Sequence, residues 1–237
     1  MIRSLKVLIA AAMALTALGA ISATGAHAAE EKWHCSVKPC TLTLAKDGTT
    51  TKAHHVFVVK GESLEGVPGS TDTFTCESLS GEFTSAEKTL TSATFKNLKY
   101  NTCKISGSVF TVDMNSCTYK FNSTGGGTAA GSEVHLECEK AGDGIVLTFS
   151  GVECVKVTPL TTTGIKYHDA GTTKEVMTAE VSNIPVPKAA VELLNIGSIG
   201  CEPVNLKTVE EAKYITGNTN VTAEPDSCAI SASVWFE

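Results

Sequence analysis

Hydrophobic and polar residues alternate along much of the chain, in short runs separated by turn-forming residues. In residues 108–114 the apolar side chains take every second position, and residues 117–121 place Cys117, Tyr119 and Phe121 on one face. Residues 73–76, 133–139 and 145–149 alternate in the same way. A period of two is typical of strands that bury one face, so the pattern predicts strands over most of the chain.

Turn signals lie between these runs, at Asn115-Ser116, in the glycine triplet 125–127 and in residues 142–144, Gly-Asp-Gly. Short strands with short connections favour an all-β fold, an antiparallel β-sandwich or an open barrel, over a Rossmann-type fold. The single helix candidate is residues 187–195, PKAAVELLN, which Gly197 would end.

The cysteine-rich pattern ends near residues 159–164, PLTTTG, and we place a domain boundary there. The prediction is a disulfide-rich β domain over residues 29–160. Residues 161–237 would form a C-terminal β-rich region or a second small β subdomain.

The first 28 residues have the pattern of a secretory signal peptide. Arg3 and Lys6 precede an apolar run over residues 7–20, and Ala26-His27-Ala28 forms an A-x-A cleavage site. An N-terminal membrane anchor is the alternative, but the apolar run is shorter than the roughly 20 residues that a bilayer requires. We therefore expect a secreted, extracellular protein after cleavage near Ala28-Ala29, with no membrane span in the mature chain.

The 9 cysteines all follow the predicted cleavage site. An exported chain meets an oxidising compartment, so each is a disulfide candidate: Cys35, Cys40, Cys76, Cys103, Cys117, Cys138, Cys154, Cys201 and Cys228. Their number is odd, so at least one thiol is free or pairs with another molecule, and Cys228 is the best candidate. Cys35 and Cys40 have the spacing of half a zinc site, although a local disulfide is favoured because no second half-site follows.

Charge and motifs exclude several functions. The net charge is −6 and the basic residues form no stripe, which argues against a nucleic-acid partner. The sequence has no G-x-S-x-G, no H-E-x-x-H, no P-loop and no G-x-G-x-x-G. We assign no catalytic residue, no cofactor site and no metal site from the sequence.

Three groups of histidines are candidate ligands or bases. His54 and His55 are adjacent and would point to opposite faces of a strand, so they would not bind one metal together. His168 precedes Asp169, which could orient it as a base, but a surface turn is the ordinary interpretation. His135 shares one strand face with Glu133, Glu137 and Glu139, and this face would suit a cation such as calcium or be the solvated face of the strand.

A set of spaced residues resembles a family of exported, cysteine-patterned β-proteins of soil actinobacteria, over about residues 73–223. The residues that carry the resemblance are, in order, Phe74-Thr75-Cys76, Tyr100-x-x-Cys103, Gly107, Asn115-Ser116-Cys117-Thr118-Tyr119, Val134-x-x-x-Cys138, Ile145, Cys154-x-x-Val157, Cys201, Tyr214-x-x-Gly217 and Val221. The resemblance implies a secreted bacterial protein and brings no assigned activity. Cys35, Cys40 and Cys228 lie outside the pattern, so it leaves their pairing open.

These observations predict a secreted non-catalytic β-protein, either a cell-envelope or surface component or an extracellular binding protein. Its partner would be an unidentified extracellular ligand or a cell-wall component. The alternatives are a secreted hydrolase with a carboxylate or histidine site assembled by the fold, and a small secreted inhibitor. Binding is expected in loops, at residues 125–127 or 161–171. Trp33 and Trp235 lie near opposite ends of the mature chain, and the sequence does not show whether they meet.

Overall fold

The computed structural model describes residues 32–36, 38–45, 55–122, 132–170, 176–223 and 234–236, and within them it is built almost wholly of strands. The strands are β1 Trp33–Cys35, β2 Cys40–Ala45, β3 His55–Gly61, β4 Ser70–Cys76, β5 Ser78–Ser85, β6 Thr89–Leu90, β7 Ser92–Asn101, β8 Cys103–Ile105, β9 Ser108–Asp113, β10 Cys117–Asn122, β11 Ser132–Cys138, β12 Ile145–Phe149, β13 Val152–Val157, β14 Leu160–Ala170, β15 Val176–Val186, β16 Val191–Leu193, β17 Glu211–Ala223 and β18 Val234–Phe236. The all-β prediction is confirmed.

The strands form one large antiparallel sheet and one small sheet. The large sheet has 15 strands in the order β15-β14-β11-β10-β7-β5-β2-β17-β3-β4-β8-β9-β12-β13-β16, and the small sheet has the order β18-β1-β6. The large sheet curls into a half-barrel, which is the open-barrel alternative of the predicted fold class.

The long strand β17 pairs with three other strands and closes the curl of the large sheet. One edge of β17 pairs with β15, while its other edge pairs first with β3 and then with β2. Strands β15, β14, β11, β10, β7, β5, β2 and β17 therefore form a closed circuit of pairings, here called the circuit. The remaining strands, β3, β4, β8, β9, β12, β13 and β16, continue from β17 as a second surface, here called the arm.

Bulges give the circuit its curvature. The register shifts in β7 at Asn97, which has φ 51°, and in β14 at Gly164, which has φ 105°. It shifts again between Tyr214 and Thr216 in β17. An extra residue on one strand of an antiparallel pair bends that strand and increases its twist. The bulges on β7 and β14 thus help the circuit to close, and the bulge on β17 bends the junction with β3 of the arm.

Four disulfides cross-link the protein, as the fold prediction expected: Cys35–Cys40, Cys76–Cys103, Cys117–Cys138 and Cys154–Cys201. Cys35–Cys40 is the local bridge that the spacing favours, and it links β1 of the small sheet to β2 of the circuit. Disulfides in this number are typical of a protein that matures in an oxidising, extracellular environment. The four bridges use every cysteine except Cys228, which lies outside the described residues.

The first and last described strands, β1 and β18, meet in the small sheet. Trp33 of β1 is opposite Phe236 of β18, and His34 is opposite Trp235. The Trp33 side chain is 1% exposed and contacts Phe95, Phe121 and Tyr167, on three strands of the circuit. Trp33 is therefore a core residue of the circuit.

The regular elements among the described residues after 158 are strands and one 3-10 turn. The predicted helix over residues 187–195 is wrong, because only Lys188–Ala190 form a 3-10 turn and Val191–Leu193 pair with β13 as strand β16. The proposed boundary at residues 160 and 161 falls at the start of β14, which pairs with β11 in the same sheet.

Among the described residues, no helix has the length and apolar character needed to cross a bilayer.

Candidate ligand-binding cavity

An apolar cavity of about 160 Å³, partly open to solvent, lies between the circuit and the arm. Its walls come from β3, β4, β9, β12 and β13 of the arm and from β5, β7, β10, β11, β14, β15 and β17 of the circuit. Most of its lining residues occupy alternate positions of their strands, such as Tyr119 and Phe121, or Val134 and Leu136. The residues at the alternate, apolar positions of the sequence therefore form the cavity wall.

Aromatic rings form one side of the cavity. The ring centroid of Phe74 lies 6.0 Å from that of Phe57 and 5.8 Å from that of Phe110, the latter pair in an edge-to-face arrangement. The ring of Phe57 also lies 6.3 Å from that of Tyr214. Edge-to-face and offset contacts are the geometries that aromatic rings prefer, so this wall presents suitable faces and edges to a further ring.

A chain of hydrogen bonds, here called the polar chain, runs along the lining. Tyr119 Oη lies 2.9 Å from Tyr100 Oη, which lies 3.2 Å from Tyr214 Oη. Tyr214 Oη lies 3.2 Å from His55 Nδ1, and His55 Nε2 lies 3.2 Å from Thr219 Oγ1. The four lining residues of this chain come from β3, β7, β10 and β17, so only the folded sheet assembles it.

Burial keeps the tyrosines of the polar chain protonated. Removal from water raises the pKa of Tyr100, Tyr119 and Tyr214 well above that of a free phenol, because the charged phenolate would lose its hydration. The neighbouring phenols add to the rise through mutual repulsion of their charged forms. The three tyrosines thus present neutral hydroxyls that can donate or accept a hydrogen bond.

Gly217 and a bulge set the position of Tyr214. The bulge between Tyr214 and Thr216 offsets the β17 register, and Tyr214 is paired with Phe57 on β3 and Ile184 on β15. A Cβ atom at Gly217 would lie 2.7 Å from Cε1 of the Tyr214 ring. Glycine at this position therefore leaves the space that the ring occupies.

Two disulfides brace the cavity. Cys76, bonded to Cys103, lines it directly. Cys117 and Cys138 are bonded at directly opposed positions of β10 and β11, two residues from the pair formed by Tyr119 and Leu136. The bridges thus fix strands that carry lining side chains.

The remaining polar and charged features of the lining are few. Thr162 lines the cavity and donates its hydroxyl to the carbonyl of Pro185 at 3.2 Å. The described lining contains no Asp, Glu, Lys or Arg side chain. Two carboxylates facing a pocket, the arrangement that would favour a hydrolase, are therefore not found at this cavity.

The structure separates the other candidate residues from the cavity. His135 accepts or donates at both ring nitrogens, with Thr161 Oγ1 at 2.8 Å from Nδ1 and Asn122 Nδ2 at 3.0 Å from Nε2. Glu133 Oε2 lies 3.3 Å from the same Nε2. Within the described ranges, no three His, Cys, Asp or Glu side chains are placed to hold a metal ion.

Several predicted positions lie elsewhere or beyond the described residues. Residues 161–170 belong to strand β14, so the expected binding loop at 161–171 is wrong for that part. His54, the glycine triplet 125–127 and the side chains of His168 and Asp169 are outside the described residues. His55 lies in a strand, β3, as expected, and it lines the cavity.

Sequence reasoning missed the polar chain. Tyr100, Tyr119 and Tyr214 all belong to the spaced residues behind the family resemblance, yet no local pattern indicates that they meet. Tyr100 and Tyr214 are 114 residues apart. The available signal was only that each tyrosine lies in a strand-like segment, close to a cysteine or a glycine.

Comparison of the chain with protein-family models, with curated proteins and with solved structures finds no match. The fold and the cavity themselves define the class: a disulfide-stapled, all-β protein with an apolar internal site. The resemblance to an exported actinobacterial family stays a prediction.

Proposed function

We propose that the protein is a secreted, non-catalytic binding protein that holds a small apolar molecule in the cavity between the circuit and the arm. The observation that carries the proposal is the lining itself, which is almost entirely apolar and has one convergent set of polar groups. Ligand sites are typically concave, mostly apolar and supplied with a few placed polar groups.

Secretion is part of this proposal. The predicted signal peptide over residues 1–28 would export the chain, and the four disulfides fit the oxidising environment that it would reach. The family resemblance supports the same setting, and three of the tyrosines that carry it line the cavity. A small ligand is favoured over a cell-wall polymer because the cavity volume, about 160 Å³, is that of a small molecule.

Thermal unfolding with toluene tests the proposal. A ligand that binds only the folded protein stabilises it, by about 1.4 kcal/mol at about ten times Kd. For a chain of this size that stabilisation raises Tm by roughly 3–6 °C. We expect such a rise for the wild-type protein, measured by calorimetry at increasing toluene concentrations.

Two variants of β9 form a matched pair for this experiment. Val112 lines the cavity, whereas Val109 on the same strand is 66% exposed. Val112→Phe should fill the cavity and abolish the rise in Tm, and Val109→Phe should retain it. An equal rise in both variants, or no rise in the wild-type protein, would show that the cavity is not a ligand site.

A further inference from the structure

The polar chain ends at Tyr119, which bonds only Tyr100 among the described residues. Its members are Thr219, His55 and the three tyrosines Tyr100, Tyr119 and Tyr214. Four hydrogen bonds join them. If the bonds run from Thr219 toward Tyr119, the hydroxyl hydrogen of Tyr119 is left over. If they run the other way, the oxygen of Tyr119 keeps acceptor capacity.

Tyr119 is the cavity end of this chain. It lines the cavity, and among the described residues Tyr100 is its only hydrogen-bond partner. Its pKa is raised by burial, so the group that it presents is a neutral phenol. A ligand hydroxyl can complete either polarity of the chain, because a hydroxyl both donates and accepts. A carbonyl or ether oxygen could complete only one.

The size and walls of the cavity define the rest of the ligand. An engineered protein cavity of about 150 Å³ accommodates benzene, and this cavity measures about 160 Å³. The rings of Phe57, Phe74 and Phe110 are already arranged edge-to-face or tilted, which suits a further aromatic ring. A carboxylate or ammonium group would find no oppositely charged Lys, Arg, Asp or Glu side chain in the described lining.

We infer that the occupant is a single-ring phenol, whose ring packs against the phenylalanine wall and whose hydroxyl bonds to Tyr119 at the end of the polar chain. This inference rests on the proposed function and specifies its ligand class. Tyr119 then selects the hydroxyl, while the apolar wall supplies most of the affinity.

Phenol and toluene are the probes, because they differ by a hydroxyl in place of a methyl group. Their Kd values are measured by ligand-observed NMR titration on the wild-type protein and on Tyr119→Phe. Loss of one hydrogen bond to the ligand should weaken phenol binding by about threefold to tenfold. Toluene binding should change by less than about twofold, since the ring contacts remain.

A matched control is Tyr167→Phe, which changes a fully buried tyrosine that does not line the cavity. It should leave the ratio of the two Kd values unchanged. If Tyr119→Phe weakens phenol and toluene binding equally, or weakens neither, the inference is overturned and the proposed function stands.

If Tyr119→Phe does not fold, the phenol and toluene Kd values of the wild-type protein alone test the inference. Phenol binding more than about tenfold weaker than toluene binding would mean that the hydroxyl is buried without a partner, and would contradict the inference. Binding of neither probe would reject the proposed function itself.

Discussion

At the scale of single residues, Gly217 and Tyr214 depend on each other. The glycine has no Cβ, and the tyrosine ring lies in the space that a Cβ would take. The ring in turn places its hydroxyl between Tyr100 and His55, so the polar chain would be interrupted if it moved. A residue with no functional group thereby determines where a polar group meets the cavity.

The buried tyrosines predict loss of stability at alkaline pH. Burial raises the pKa of Tyr100, Tyr119 and Tyr214 in the folded protein, whereas in the unfolded chain each ionises near its ordinary pKa of about 10. Above that pH the folded state binds more protons than the unfolded state. The free energy of unfolding should therefore fall by about 1.4 kcal/mol per pH unit for each such tyrosine.

Urea unfolding at several pH values on either side of about pH 10 measures this slope. Tyr100→Phe should reduce it by the contribution of one tyrosine. A slope that is identical in the wild-type protein and in this variant would mean that Tyr100 ionises equally easily in both states.

At the scale of elements, the disulfides close loops of very different lengths. The sequence separations are 5 for Cys35–Cys40, 21 for Cys117–Cys138 and 47 for Cys154–Cys201. A crosslink restricts the unfolded chain more strongly when the loop is longer. The bridge between β13 and the segment before β17 should therefore contribute most.

Paired Cys→Ala substitutions test that order. The chain-entropy argument gives losses of about 2, 3 and 4 kcal/mol for the bridges Cys35–Cys40, Cys117–Cys138 and Cys154–Cys201. The free energy of unfolding is measured by urea titration for each double variant. A loss for Cys35→Ala/Cys40→Ala that exceeds the loss for Cys154→Ala/Cys201→Ala would contradict the argument.

Strand faces could be predicted from the sequence, because a period of two determines which side chains share a face. The face shared by Cys117, Tyr119 and Phe121 is the one that meets the core and the cavity. Residues 187–195 have a helix-forming composition, which is a local signal, whereas the pairing of Val191 with Val157 in a strand is a tertiary contact that the composition does not predict.

The cavity could not be predicted, since it depends on which distant strands become neighbours. His55 and Thr219 are 164 residues apart, and they meet because β17 pairs with both β3 and β2. Bulges on β7, β14 and β17 then determine the curvature, and a bulge has no firm local signal. Alternation predicted the wall residues one strand at a time, but not the space that they enclose.

At the scale of the whole molecule, the curvature of the sheet encloses a cavity between the circuit and the arm. The circuit has Trp33 packed among Phe95, Phe121 and Tyr167, and Phe121 also lines the cavity. The arm covers the opposite side with its phenylalanine wall. Disulfides lie within each surface, Cys76–Cys103 in the arm and Cys117–Cys138 in the circuit, and they fix strands that are rich in Thr and Ser.

A crystal structure of the protein with phenol tests this account most directly. The account predicts a single ring in the cavity, against Phe74 and Phe110, with its hydroxyl oxygen about 2.7–2.8 Å from Tyr119 Oη. A cavity that stays empty at a phenol concentration well above the solution Kd, or phenol bound only at the outer surface, would contradict it.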